Sequence, residues 1–157
     1  MPTYTMRNRR WVLWGMIFFS FFLVLLPGDL IASDDPILSF SIQDASGEHD
    51  AANLFMGRWI VFSVIGHACP GVEPFLSFRK RVPDQQKDYV LILCVGGDRQ
   101  KIGPNVATAS DEAAAALGLT GTPMILGIED HRVKWRIAGL IPHWHSFASN
   151  WIRKDNE

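Results

Sequence analysis

The sequence is poor in cysteine, with only Cys69 and Cys94 among 157 residues. Two thiols are too few for the disulfide framework of a small secreted scaffold or for a four-thiolate zinc site. The chain also lacks a charge excess, since 15 basic residues stand against 16 acidic ones. The chain therefore has no excess of basic residues of the kind that nucleic-acid-binding domains carry, and we expect no nucleic-acid partner.

Long apolar runs are absent except at residues 11–26, which three arginines precede. A basic segment followed by an apolar one is typical of a signal peptide or a membrane anchor. A spanning helix needs roughly 20 apolar residues, so this run is short, and both alternatives stay open. Cleavage would fall near Ala32 or Ser33. The sequence therefore predicts an N-terminal hydrophobic helix within residues 1–33. It also predicts an extracytoplasmic, periplasmic domain over 34–157, either anchored or secreted.

The pattern of the remaining chain alternates between strands and helices. Continuous apolar runs at 59–65 and 89–95 are typical of buried parallel strands. The predicted elements in chain order are a polar linker 34–36, strand 37–42, strand 59–65, helix 75–82, strand 89–95, helix 110–117 capped by Ser110, a hairpin of 124–128 and 133–138, and helix 143–153. This order predicts an α/β fold with a parallel core and an antiparallel edge.

Cys69 comes directly after the apolar strand at 59–65. Sites in open α/β sheets lie at the carboxyl ends of strands, which makes Cys69 the candidate nucleophile. His67, two residues earlier, is a candidate modulator of its thiolate. Cys94, near the end of the next apolar strand, is most simply a buried small hydrophobic residue. The alternative is a second thiol that pairs with Cys69, because the two strands are expected to be neighbours.

Four stretches resemble the thioredoxin-like redoxin superfamily: residues 41–47, residues 53–62, the pair Cys69-Pro70, and residues 117–123 followed by Gly139. The likeness is to its TlpA-like and methylamine-utilisation accessory types. It implies a thioredoxin-like fold with a mixed central sheet, flanking helices and Cys69 as the first reactive cysteine. It also implies that Pro123, after Thr122, is the cis-proline facing that cysteine. Pro70, Thr122, Pro123 and His67 would then meet a partner's extended chain.

The chain departs from these relatives at the reactive site. Val72 occupies the position of the second thiol in the Cys-x-x-Cys motif. The run from Cys69 to Pro74 also matches the Cys-Pro-x-Val-Cys-Pro motif of Sco-type copper proteins, but with Glu73 in place of the second cysteine. Peroxiredoxins carry Thr or Ser three residues before the cysteine, where this chain has Gly66. The resemblance therefore implies a degenerate site with a single cysteine.

The leading hypothesis is a thiol-disulfide or redox accessory role in the maturation of another exported protein, with Cys69 as the nucleophile. The alternatives are a non-catalytic thioredoxin-fold binding module and a Sco-like copper chaperone that uses Cys69 and Glu73. We expect no cofactor. We also expect no metal site, because His143 and His145 would point to different faces of a helix. The expected partners are an exported protein and, if the N-terminal segment is retained, the membrane.

Overall fold

The computed structural model describes residues 30–37, 39–67, 71–98 and 102–153. The described chain forms eight strands: β1 (Leu30–Pro36), β2 (Ser41–Gln43), β3 (Glu48–Asp50), β4 (Arg58–Ile65), β5 (Val90–Val95), β6 (Ala107–Ala109), β7 (Met124–Glu129) and β8 (Arg132–Ala138). It forms five helices: α1 (Ala51–Leu54), α2 (Glu73–Arg81), α3 (Asp84–Lys87), α4 (Glu112–Ala116) and α5 (Trp144–Arg153). The predicted N-terminal hydrophobic helix lies outside the described residues. None of the helices within the described ranges is long and apolar enough to span a membrane.

The eight strands form one mixed sheet in the order β1-β8-β7-β4-β5-β6-β2-β3. Strands β4, β5 and β6 run parallel, because each is linked to the next by a crossover connection. On one side β7, β8 and β1 follow in antiparallel order, and on the other β2 and β3 form an antiparallel hairpin. The predicted α/β class, with a parallel core and an antiparallel edge, is confirmed.

Helices cover both faces of the sheet, so β4 and β5 are buried on each side. On one face, α2 and α5 enclose an aromatic cluster in which the ring of Phe62 stacks on Phe75 at 4.6 Å. Trp144 of α5 meets both rings edge-on. On the other face, α1 and α4 pack over the alternate side chains of the same strands. This alternation explains why both central strands are continuous apolar runs in the sequence.

Residues 34–36, expected to be a polar linker, instead belong to edge strand β1. Asp35 is the register partner of Val133 in β8. Asp34 accepts a hydrogen bond from Lys134 at 2.5 Å and lies 3.5 Å from Arg132, while Asp35 pairs with Arg136 at 2.8 Å. The prediction was wrong because the cations that hold these carboxylates lie about a hundred residues away in sequence.

Other boundaries differ from the sequence predictions by a few residues. The strand expected at 37–42 is β2, three residues long and displaced toward Gln43. Helix α2 begins at Glu73, so Pro74, expected at the first helical position, is the second residue of the helix. Helix α4 has Asp111, not Ser110, as its N-cap residue, and no side chain caps it. Strands β3 and β6 were not anticipated, since three residues carry too little pattern to distinguish a strand from a loop.

Acidification should loosen β1 through Asp34. The hydrogen bond from Lys134, more than the nearby charges, holds the pKa of Asp34 below its ordinary value. A carboxylate with a lowered folded-state pKa stabilises the fold above its unfolded pKa of about 3.9 and loses that effect as pH falls further. Asp34→Asn should therefore lower the urea midpoint at pH 6 but not at strongly acidic pH.

Urea titrations of both proteins at several pH values measure this difference. Asp88→Asn, at an exposed position in the turn before β5, is the matched control. An Asp34→Asn deficit that is the same at every pH would contradict the ionic role of Asp34.

Candidate functional site

The carboxyl ends of β4 and β5 lie side by side and are joined by backbone hydrogen bonds. The amide of Gly66 donates to the carbonyl of Val95 at 3.0 Å, and the amide of Asp98 donates to that of His67 at 3.1 Å. The loop that leads from β4 to Cys69 is thereby held against the loop that follows β5. Cys69 and Pro70 themselves lie outside the described residues.

Cys94 lies near the carboxyl end of β5 and is completely buried. Its register partner in β4 is Val64, and both side chains belong to the face covered by α2 and α5. Its sulfur lies 3.1 Å from the carbonyl oxygen of Gly66, three residues before Cys69. Cys94 is disulfide-bonded in this structure. Its burial fits the interpretation of Cys94 as a small hydrophobic residue, and its disulfide shows that it also forms a covalent bond.

Gly97 makes room for this sulfur, a contact that the sequence did not indicate. A Cβ atom at Gly97 would lie 2.4 Å from Sγ of Cys94 and 2.6 Å from Cδ1 of Ile102. Real Cβ atoms do not approach other atoms so closely. Two consecutive glycines after an apolar strand are the only sequence signal of this packing, and on their own they indicate just a turn.

Gly97→Ala should destabilise the oxidised protein more than the reduced one. Overpacking typically costs about 1–3 kcal/mol, and a sulfur fixed in a disulfide cannot rotate away from the new methyl group. Thermal unfolding with and without reductant measures both states. Gly103→Ala is the control, because a Cβ there would meet nothing within 4 Å. An equal loss of thermal stability in the oxidised and the reduced protein would contradict the proposed contact.

Thr122 and Pro123, which the resemblance sets facing Cys69, lie beside the end of β4. The peptide bond between them is cis. The hydroxyl of Thr122 accepts a hydrogen bond from the amide of Ile65 at 3.2 Å, which joins this turn to the strand that leads to Cys69. Thr122 is exposed and Pro123 is half-buried. Within the described part of the chain, the backbone N–H and carbonyl of Thr122 form no hydrogen bond.

His67 is exposed at the rim of an open polar groove. The groove has a volume of about 610 Å³ and runs from the loop after β5 across the ends of β6 and β2. Gly96, Asp98 and Asp111 also contribute to its wall. The structure therefore places His67 beside the loop that follows β5, on the side of β4 opposite to Thr122.

Val72 and Glu73, which stand where the dithiol and copper motifs have their second cysteine, both lie at the start of helix α2. Val72 precedes α2 as its N-cap residue and packs against the core cluster. Glu73 opens the first turn of the same helix, where a carboxylate suits the positive end of the helix dipole. The position of the usual second thiol is thus filled by an apolar side chain that anchors the helix.

His145 lies in α5 and His143 directly before it, and neither lines the groove beside His67. His143 and His145 are exposed on either side of the buried Trp144. His145 lines a separate 320 Å³ cavity between α2 and α5, with Arg81 and Arg153 in its wall. The described residues contain no group of three or more His, Cys, Asp or Glu placed to hold a metal ion.

Solved structures share this architecture at low sequence identity. A thiol:disulfide interchange protein from Chlorobium tepidum matches with a TM-score of 0.52 and 18% identity, over 78% of this chain and 99% of that one. A variant of PrxQ from Xylella fastidiosa matches at 0.53 and 13%, over 81% and 100%. Peroxiredoxin 5 from Alvinella pompejana matches at 0.52 and 19%, over 79% and 99%. No protein-family profile and no curated protein matches the sequence. These likenesses establish a thioredoxin-like fold.

Proposed function

We propose that this chain is an extracytoplasmic thiol-disulfide protein whose working disulfide joins Cys69 to Cys94. The observation that carries the proposal is the disulfide at Cys94 in a chain with one other cysteine. Cys94 reaches the loop carbonyl of Gly66, and Cys69 follows only three residues later. The side chain of Cys94 also lies on the face covered by α2, the helix that follows Cys69. The proposed site thus has two cysteines, Cys69 and Cys94 of β5, where the sequence predicted one.

Exchange at this disulfide is asymmetric. Because Cys94 is fully buried, a partner thiolate reaches the bond only at the sulfur of Cys69. Attack there forms a mixed disulfide with Cys69 and releases the Cys94 sulfur, which takes up a proton and then donates it toward the carbonyl of Gly66. A second thiol of the partner then displaces Cys69. The partner leaves with a new disulfide, both cysteines of this chain are reduced, and the reverse sequence reduces a partner.

The partner's chain is proposed to dock along Thr122 and Pro123, with Pro70 and His67 at the edges of the contact. Thr122 presents an unpaired backbone N–H and carbonyl, the groups to which an extended chain bonds. The apolar segment at 11–26 and the arginines before it support a location outside the cytoplasm. An exported protein that needs a disulfide formed or removed during maturation is therefore the expected substrate.

A redox titration of the full chain in glutathione buffers tests this function. Mass-tagging of free thiols should show Cys69 and Cys94 becoming reduced together in one two-electron transition. Cys69→Ser should leave Cys94 without that transition, and Cys94→Ser should do the same for Cys69. Independent titration of two thiols, or no exchange with a dithiol peptide, would overturn the proposal. Partner binding by the unchanged chain without any thiol exchange would instead indicate a binding module.

A further inference from the structure

The cavity between helices α2 and α5 is separate from the candidate thiol site. It has a volume of about 320 Å³, and its floor is formed by the apolar side chains of Phe78, Val82 and Ile152, which are all buried. Trp151, next to Ile152, donates a hydrogen bond to the carbonyl of Trp59 at the start of β4. The cavity therefore extends toward the end of β4 opposite to the one that leads to the thiol site.

The wall above this floor is basic. Arg81 from α2 and Arg153 from α5 contribute guanidinium groups, and His145 contributes an imidazole. The ring of His145 stacks on Trp144 with 4.2 Å between the ring centroids, which fixes its place in the wall. Among the residues that the structure describes, no aspartate or glutamate lines the cavity. The described wall thus carries positive charge without an acidic residue to balance it.

The hydrogen-bond donors around the cavity are largely unused. Arg81 donates from Nε to the carbonyl of Ser77 at 3.2 Å, and its terminal nitrogens form no hydrogen bond to any described residue. The side chains of Arg153, Ser149 and Asn150 also form none within the described ranges. A ligand that accepts hydrogen bonds would therefore meet donors from both sides of the cavity.

The helix dipole alone does not explain this arrangement. Arg81 and Arg153 each lie in the last turn of a helix, where a cation complements the negative end of the dipole. That effect depends on the position of the cation along the helix, and the two arginines need not face one another to provide it. Lys80 occupies the same last turn of α2 and does not line the cavity. The convergence of one arginine from each helix is a separate feature that points to an anionic ligand.

We propose that this cavity binds a small phosphate ester, with the phosphate held by Arg81 and Arg153 and the organic group lying on the apolar floor. The planar guanidinium group donates paired hydrogen bonds to phosphate oxygens, which an ammonium group does not. Ser149 and Asn150 supply further polar contacts at the wall. The volume lies at the small end of the range that ligand pockets occupy, so the organic group is small. This site is additional to the proposed thiol exchange and does not depend on it.

Isothermal titration of the full chain in a non-ionic detergent tests the site. Phenyl phosphate should bind in a saturable manner, and inorganic phosphate should bind more weakly because it leaves the apolar floor uncovered. Phenol, which lacks the anion, should not bind. Arg81→Gln and Arg153→Gln should each weaken the binding of phenyl phosphate about tenfold or more, the loss expected for a hydrogen bond to a charged group.

Lys80→Gln is the matched control, because it removes one positive charge from the same turn of α2 outside the cavity. It should leave the affinity for phenyl phosphate unchanged. Arg153→Gln alters only the last residue of α5, so it keeps the test available if Arg81→Gln does not fold.

Three results would overturn the proposal. They are the absence of saturable binding by the unchanged chain, an equal loss of affinity in Lys80→Gln and Arg81→Gln, and binding of phenol or inorganic phosphate as tight as that of phenyl phosphate. Tighter binding of benzoate than of phenyl phosphate would overturn the choice of a phosphate ligand. Each of these results leaves the redox titration unaffected, since that experiment follows only the two cysteines.

Discussion

Cys94→Ser should accumulate mixed disulfides between Cys69 and partner proteins, whereas Cys69→Ser should form none. When the proposed exchange runs in the direction that reduces a partner, the Cys94 thiolate is the group that displaces the partner from Cys69. Serine at position 94 cannot do so, and the partner stays attached. Diagonal gels after rapid alkylation of cells measure the trapped species. The buried site of Cys94 accepts serine with little change in volume, so the fold should persist.

The double variant Cys69→Ser, Cys94→Ser is the control for disulfides formed by other routes. Mixed disulfides that appear equally in Cys69→Ser and Cys94→Ser would contradict the assigned roles. Their absence from both variants, with partner binding intact, would support a binding module in place of thiol exchange.

Trp144→Ala should produce the largest loss of stability among core substitutions at the helix α5 interface. Trp144 is 5% exposed, and its ring lies 5.3 Å from Phe62, 5.6 Å from Phe75 and 5.4 Å from Phe78. Removing a buried tryptophan ring costs about 3–5 kcal/mol. The same rings hold α2 on the sheet, so the disulfide of Cys94 should also become easier to reduce.

Urea unfolding of the oxidised protein measures the effect. Trp144→Phe should lose less, because a ring remains in the cluster, and Met56→Ala at a 66% exposed position should change little. A loss for Trp144→Ala as small as that for Met56→Ala would show that the cluster does not support the fold.

The parts of the fold that were predictable carry strong local patterns. Strands β4 and β5 are continuous apolar runs, and the hairpin of β7 and β8 has its turn marked by four polar residues. Edge strand β1 was missed because Asp34, Asp35 and Pro36 resemble a linker in isolation. Proline is tolerated on an edge strand, and the stabilising cations come from β8 at the far end of the chain.

The sequence indicated where the candidate site lies but not its thiol chemistry. The end of an apolar strand pointed to Cys69, which lies outside the described residues, and the Thr122-Pro123 turn lies next to that strand. The role of Cys94 depends on the register that sets Val64 opposite Cys94, and on the rotation that turns the sulfur toward Gly66. A single sequence fixes neither, since a shift of one residue would move Cys94 to the opposite face.

Peptide mapping of the unreduced protein, isolated from the oxidising compartment with its thiols blocked, tests the central claim most directly. The account predicts one cross-linked species in which the peptide containing Cys69 is joined to the peptide containing Cys94. Two alkylated free cysteines, or disulfides from either cysteine to other chains only, would contradict it.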